Sequence, residues 1–339
     1  MFLSKNSKCI RSSDHNFNMD LLRVMAMGMV LLCHLSGLLH INTSVGSTGV
    51  ELFFVLSGYL IFESLERTNS MLKYYKKRFI RIIPIYWLTL IIIWVWDLFK
   101  YHVIYGQSII SLISYDGYCG PKYLRYFFFL QEFMPSENYA LWNNRYALWT
   151  MSSFAFFYIV APMFYKYIKK FSQAIFVLGF LVVFCILLSR FLSQCGGIYG
   201  TLGKYPIAML YKLFFGSCVY YAKKEKKNQF LFVVVLANIW IWLGERLAFE
   251  CFYSLLVLCA VCFEDTLQRF KGIKNIVNLI AKRSFAIYLT HMVTLDITST
   301  IFVNQSQILK IIVFAIILVI LTETVFKLSG IIEKSMRAK

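Results

Sequence analysis

The chain has 339 residues, 59% hydrophobic and 18% aromatic, with only 15% charged, where an ordinary soluble domain carries about 25% charged residues. That balance excludes a soluble globular protein and leaves a polytopic membrane protein built as one bundle. The formal net charge of +18 falls in short Lys/Arg clusters between apolar runs, which is a topology signal, so nucleic acid is excluded as a partner.

The first twenty residues, MFLSKNSKCIRSSDHNFNMD, are polar, and no small-residue cleavage site follows the first apolar run. The first helix is therefore expected to stay in the membrane. Apolar runs on the ~20-residue scale of a bilayer span recur near residues 20–40, 46–65, 80–99, 147–165, 171–192, 205–222, 229–244, 247–263, 284–303 and 308–330. The fold expected is all-α with ten transmembrane helices, a bundle over 18–332 and short tails at 1–17 and 333–339. Only Gly-Glu-Arg separates the seventh and eighth runs. Of 35 basic residues, 25 lie in the two tails and the connections at one face, and the positive-inside bias puts both termini in the cytoplasm.

The first span, LLRVMAMGMVLLCHLSG, carries Arg23 and His34. Eleven steps of 100° leave the two about 20° apart on one helix face, separated by ~16 Å along the axis. Either side chain is costly in hydrocarbon. A snorkelling Arg23 and a helix-bridging His34 are the plain explanations. A neutral imidazole facing a bundle interior is also the group that takes a proton from a hydroxyl near neutral pH. In the second span, GSTGVELFFVLSGYLIF, Glu51 lies toward the outer end, and Ser57 and Gly58 suit close helix approach or a broken helix. The third span opens with YYKKRFIRIIPIYW, where Lys76, Lys77, Arg78 and Arg81 precede Pro84, Tyr86 and Trp87. This is either topology with an aromatic belt or an anion site, since Arg and Lys grip phosphate.

The connection from Lys100 to Tyr146 is long for a compact bundle, as functional loops are. Its piece YLRYFFFLQEF is apolar enough to lie in the interface or dip back into the bundle. Nine cysteines are scattered through the chain without metal-ligand spacing, so no metal is expected. Cys119 and Cys195 fall in outer connections and could join in an oxidising compartment. His291, in SFAIYLTHM, is a further mid-span histidine.

Six stretches together resemble the integral-membrane acyltransferase-3 family: Arg-x10-His, GVELFFVLSGYLIF, KKRFIRIIPIYW, FFFLQEFMP, ALWTMSSFAFFYIVAPM and SFAIYLTHM, in the family's order from about residue 18 to 330. The resemblance implies a bacterial inner-membrane enzyme that moves an acyl group, usually acetyl, from acyl-CoA to a hydroxyl of a surface glycan such as O-antigen or capsule, or of its lipid-linked precursor. It implies that His34 is the essential histidine with Arg23 as its partner, and that Lys77, Arg78 and Arg81 hold the coenzyme A phosphates. Tyr288 and His291 match the late Tyr-Leu-x-His motif, and Glu51, Ser57, Tyr86, Trp149 and Tyr158 are supporting candidates. The chain departs from the family at Phe154 and Ala155, where many members carry a glutamate. The rival class is a secondary transporter with His34, Glu51 and His291 as a proton or ion relay. It predicts two corresponding halves, and the sequence has no such symmetry.

Overall fold

A computed structural model of the protein describes residues 17–39, 45–68, 70–115, 117–133, 146–194, 205–263 and 271–338. Among these there is no strand. The long helices are α1 (Phe17–Leu39), α2 (Val45–Glu66) and α3 (Met71–Phe99), which runs on into a π turn at Lys100–Ile104. Two short helices, α4 (Ile109–Ile113) and α5 (Leu124–Phe127), lie in the long connection. The chain then forms α6 (Trp149–Tyr167), α7 (Phe171–Gln194), α8 (Leu210–Lys224), α9 (Gln229–Cys262), α10 (Lys271–Ile301) and α11 (Gln307–Ala338).

Every apolar run is helical, but the helices are not ten separate spans of equal standing. Among the described residues, five are long and apolar enough to cross a membrane: Phe17–Gly37, Thr48–Glu66, Met71–Ile104, Phe171–Leu192 and Gln307–Ala338. The seventh and eighth runs lie in α9 as two helical segments joined across a kink, where the backbone leaves helical geometry at Leu243 (φ −130°, ψ 19°). Gly-Glu-Arg sits at that kink, and both ends of α9 lie at the end of the bundle where α1 and α7 begin, since Asn18 Nδ2 donates to the Ala260 carbonyl at 2.8 Å and Phe232 packs on Phe171. α10 begins thirteen residues before the predicted span, at Lys271.

Two apolar cores hold the bundle together. One joins α1, α2, α6, α7, α8 and α9 around Phe54, Tyr59, Phe62, Phe157 and Phe214. The other joins α3, the long connection, the start of α6, α10 and α11 around Tyr86, Leu90, Tyr126, Tyr146 and Leu289. The α2–α8 seam has no room for side chains at its crossing. A Cβ on Gly58 would overlap the Leu213 carbonyl oxygen, and one on Gly216 would overlap that of Val55. Small residues let helices approach this closely in a membrane. Phe176, Phe180, Ile316 and Val319 point outward from α7 and α11, as lipid-facing side chains should.

The segment 121–133 dips back into the bundle. Gln131 Nε2 donates to the Leu148 carbonyl at 3.0 Å, Trp87 Nε1 to that of Phe127 at 3.0 Å, and Ser152 Oγ to that of Phe129 at 2.8 Å. Tyr123, Tyr126, Gln131 and Glu132 are buried. Phe129 and Ala147 hold left-handed backbone, φ 59° and 52°, a strained choice for residues with a Cβ. Cys195 lies outside the described residues, while the Cys119 thiol sits 3.9 Å from the Trp94 carbonyl.

Candidate active site

A cavity of about 150 Å³ lies where the two cores meet, walled by α1, α2, α3, α6 and α10. Four cations from three helices line it: Arg23 on α1, Arg78 and Arg81 on α3, and Lys282 on α10. Ser57, Tyr158 and Tyr288 add hydroxyls, and Phe53, Phe154 and Phe285 supply much of the apolar wall. Six of the residues singled out from the sequence, Arg23, Ser57, Arg78, Arg81, Tyr158 and Tyr288, thus meet around one space.

Little negative charge answers those cations. Arg23 Nη1 donates to Asp20 Oδ1 at 2.7 Å, and that carboxylate is buried one turn earlier on α1. Arg81 and Lys282 form no ion pair among the described residues. The Arg78 guanidinium stands 5.5 Å from the Tyr74 ring centre and 5.4 Å from that of Tyr158, a cation–π arrangement that orients its planar fork. Its Nη2 reaches the Leu60 carbonyl at 3.5 Å, and its buried Nε has no hydrogen-bond partner among the described residues. An unsatisfied guanidinium N–H beside two unpaired cations is what a multiply charged anion requires.

Farther along α1 and α10 are the two histidines. The His34 and His291 ring centres are 5.1 Å apart, with planes inclined at 49°. Nine residues separate Lys282 from His291 and eleven separate Arg23 from His34, so the pair lies about 14 to 16 Å along the helices from the cations. Tyr288 links the two regions. It lines the cavity, its ring centre is 5.7 Å from that of His291, and its hydroxyl is 2.8 Å from Thr150 Oγ1 and donates to the Ala147 carbonyl at 3.4 Å. The strained Ala147 backbone therefore presents an acceptor to a cavity residue.

The remaining candidates lie elsewhere. Lys77 is exposed and does not line the cavity. Tyr86 is fully buried in the second core, stacked on Phe129 with ring centres 4.6 Å apart. Trp149 packs edge-on to Phe54 at 6.1 Å. Glu51 belongs to a separate ion cluster, where Lys212 Nζ stands 2.5 Å from Glu51 Oε1 and 3.2 Å from Glu250 Oε1. The structure therefore joins His34 to His291 but binds Glu51 to α8 and α9. Phe154 lines the cavity and packs on Phe54 at 5.1 Å, so the departure from the acidic pattern falls on the cavity wall.

The sequence did not single out Lys282, because Lys282-Arg283 reads as one basic cluster. The two side chains diverge: Lys282 lines the cavity, while Arg283 pairs with Glu323 of α11. Neighbouring helical residues point 100° apart, so the two side chains had to diverge, but nothing in the sequence says which of them faces the cavity.

Comparison with known proteins gives three findings. A family described as an acyltransferase domain matches residues 16–325. Nodulation protein 10 of Rhizobium leguminosarum bv. viciae is 25% identical over 179 residues, covering 48% of each chain. Acyltransferase MdmB of Streptomyces mycarofaciens is 26% identical over 164 residues, covering 44% of this chain and 39% of its own. The chain thus aligns with less than half the length of these two relatives. No solved structure matches.

Proposed function

The chain belongs to the acyltransferase-3 family, and from that premise we propose that it is a membrane O-acyltransferase carrying acetyl from acetyl-CoA to a hydroxyl of a surface glycan or its lipid-linked precursor. The observation that carries the reading is the four-cation cavity, with a histidine pair about 14 to 16 Å farther along the same two helices. Arg78, Arg81 and Lys282 hold the phosphates of the donor, with Arg23 on the path between them and His34. The pantetheine arm runs along the apolar wall of Phe53, Phe154 and Phe285 and brings the thioester carbon to the histidines. His34 takes the proton of the acceptor hydroxyl as it attacks the thioester carbonyl. The carbon–sulfur bond then breaks, and the thiolate leaves on the coenzyme. Tyr288 and Ser57 are the hydroxyls available to the developing oxyanion.

In this reading the cation end is cytoplasmic and the chain spans the bacterial inner membrane ten times with both termini inside. The Lys224–Glu66 pair at 2.9 Å marks the same end of the bundle as Arg78, while Lys100 and Asp296, 2.7 Å apart, mark the other. The charge asymmetry of the connections supports that orientation. The test is mass analysis of surface glycans from cells with and without the chain. The expected result is one acetyl mass per modified residue, lost on deletion. Identical glycans in both strains, with the protein present in the membrane, would overturn the proposal.

A further inference from the structure

His291 has a second role written into its hydrogen bonding. Its ring is 1% exposed, and its Nδ1 lies 2.5 Å from the carbonyl oxygen of Tyr288, one turn earlier on α10. A carbonyl only accepts, so Nδ1 must carry the proton. A neutral imidazole protonated at Nδ1 has a bare lone pair at Nε2. That Nε2 is buried and has no partner among the described residues, an unusual state for a polar atom inside a protein. The ring it belongs to faces His34 at 5.1 Å between centres. With the centres that far apart, two ring nitrogens turned toward one another come within the ~3 Å of a hydrogen bond.

We propose that His291 is the positioning residue of His34: its Nε2 accepts the N–H of one His34 nitrogen and so leaves the other nitrogen as the bare base aimed at the acceptor hydroxyl. This rests on the acyl-transfer reading above and deepens it. The bond made by one ring nitrogen decides which tautomer the other presents, and a base held by a third group is the general form of an activated site. Hydrolytic triads commonly use a carboxylate for this task. Here the orienting group is a neutral histidine, itself pinned by a backbone carbonyl, and no buried anion is needed beside the thioester. As His34 takes the hydroxyl proton it becomes a cation, and the Nε2 lone pair of His291 accepts from it throughout. The proton then leaves His34 for the departing thiolate, so His291 gains and loses none.

The proposal is tested on the full-length protein in detergent, labelled with ring-¹⁵N histidine. Five histidines are present, and the resonances lost in His291→Gln identify His291. The expected spectrum has His291 neutral with its proton on Nδ1, and a coupling across the N–H···N bond to His34. A proton on Nε2, or a doubly protonated ring, would overturn the proposal without reference to activity. In [¹⁴C]acetyl-CoA assays on membrane vesicles from the producing cells, His291→Leu should lower kcat by about tenfold or more with KM for acetyl-CoA unchanged. His291→Gln, which keeps an acceptor oxygen, should recover part of the loss. Unchanged kcat in His291→Leu, or a loss confined to KM, would overturn the role. A wild-type protein with the expected spectrum but no acetyl transfer would keep the pairing and overturn the acyl-transfer reading beneath it.

Discussion

At the scale of single residues, the proposed acyl transfer gives binding to some groups and reaction to one, and substitutions should separate them. His34→Ala should cost 10² to 10⁴ in kcat, the usual worth of a general base, while acetyl-CoA affinity stays near wild type by calorimetry. Arg78→Ala should do the reverse. It should raise KM for acetyl-CoA about tenfold, since a hydrogen bond to a charged group contributes about 1.5–3 kcal/mol. Arg78→Lys should be nearly as weak, because a point charge replaces a planar fork held between the Tyr74 and Tyr158 rings. A third substitution concerns stability alone. Lys212 is the cation between Glu51 and Glu250, so Lys212→Met leaves the buried Glu250 and half-buried Glu51 carboxylates without their cation and should destabilise by about 3 kcal/mol, read as a lowered melting temperature in detergent. Glu51→Gln keeps one of the two ion pairs and should cost less. Arg23 and His34 were legible from spacing, because one helix fixes their shared face. The partnership of Glu51 with Lys212, 161 residues away, was not, because nothing local distinguishes an outer-interface carboxylate from one awaiting a partner on another helix.

Helices are the scale at which the sequence was read most fully, and also where its limits are physical. Apolar runs of the right length had to become helices, since lipid offers backbone groups no other partners. Where one helix ends and the next begins depends on whether anything breaks the hydrogen-bond ladder. Gly-Glu-Arg marks such a place, and helical geometry is lost at Leu243 just before it. The same reasoning makes the α2–α8 crossing a sharp test. Gly58 and Gly216 meet opposing backbone carbonyls rather than flexible side-chain ends, so neither neighbour can move aside cheaply. Gly216→Ala should separate the helices and destabilise by about 1–3 kcal/mol. Gly179, with open space around its Cβ position on α7, should accept alanine without loss. Equal melting temperatures for Gly216→Ala and wild type would contradict this account of the seam.

Across the whole molecule, the proposed function depends on three parallel courses: α1, α3 and α10 each begin with a cation at one end of the bundle, and α1 and α10 carry a histidine farther along. Resemblance to a family gave the members of this arrangement one by one. Their convergence, and the entry of Lys282 into it, required the packing of α10 against α1 and α3. Orientation is open to direct test, because a fluorescent protein fused after Lys339 should fluoresce, while alkaline phosphatase at the same point should be inactive; the opposite pair of results would invert the bundle. The central claim, that the cation cavity is the seat of an acyl-CoA donor, is tested most directly by calorimetric titration of the purified, folded protein. Acetyl-CoA should bind, 3′-dephospho-CoA should bind more weakly, and the Arg78→Ala/Arg81→Ala variant should lose about tenfold or more in affinity, with a larger loss at low ionic strength where phosphate contacts are least screened. No heat of binding from acetyl-CoA or free coenzyme A, or equal affinity in wild type and variant, would contradict the account.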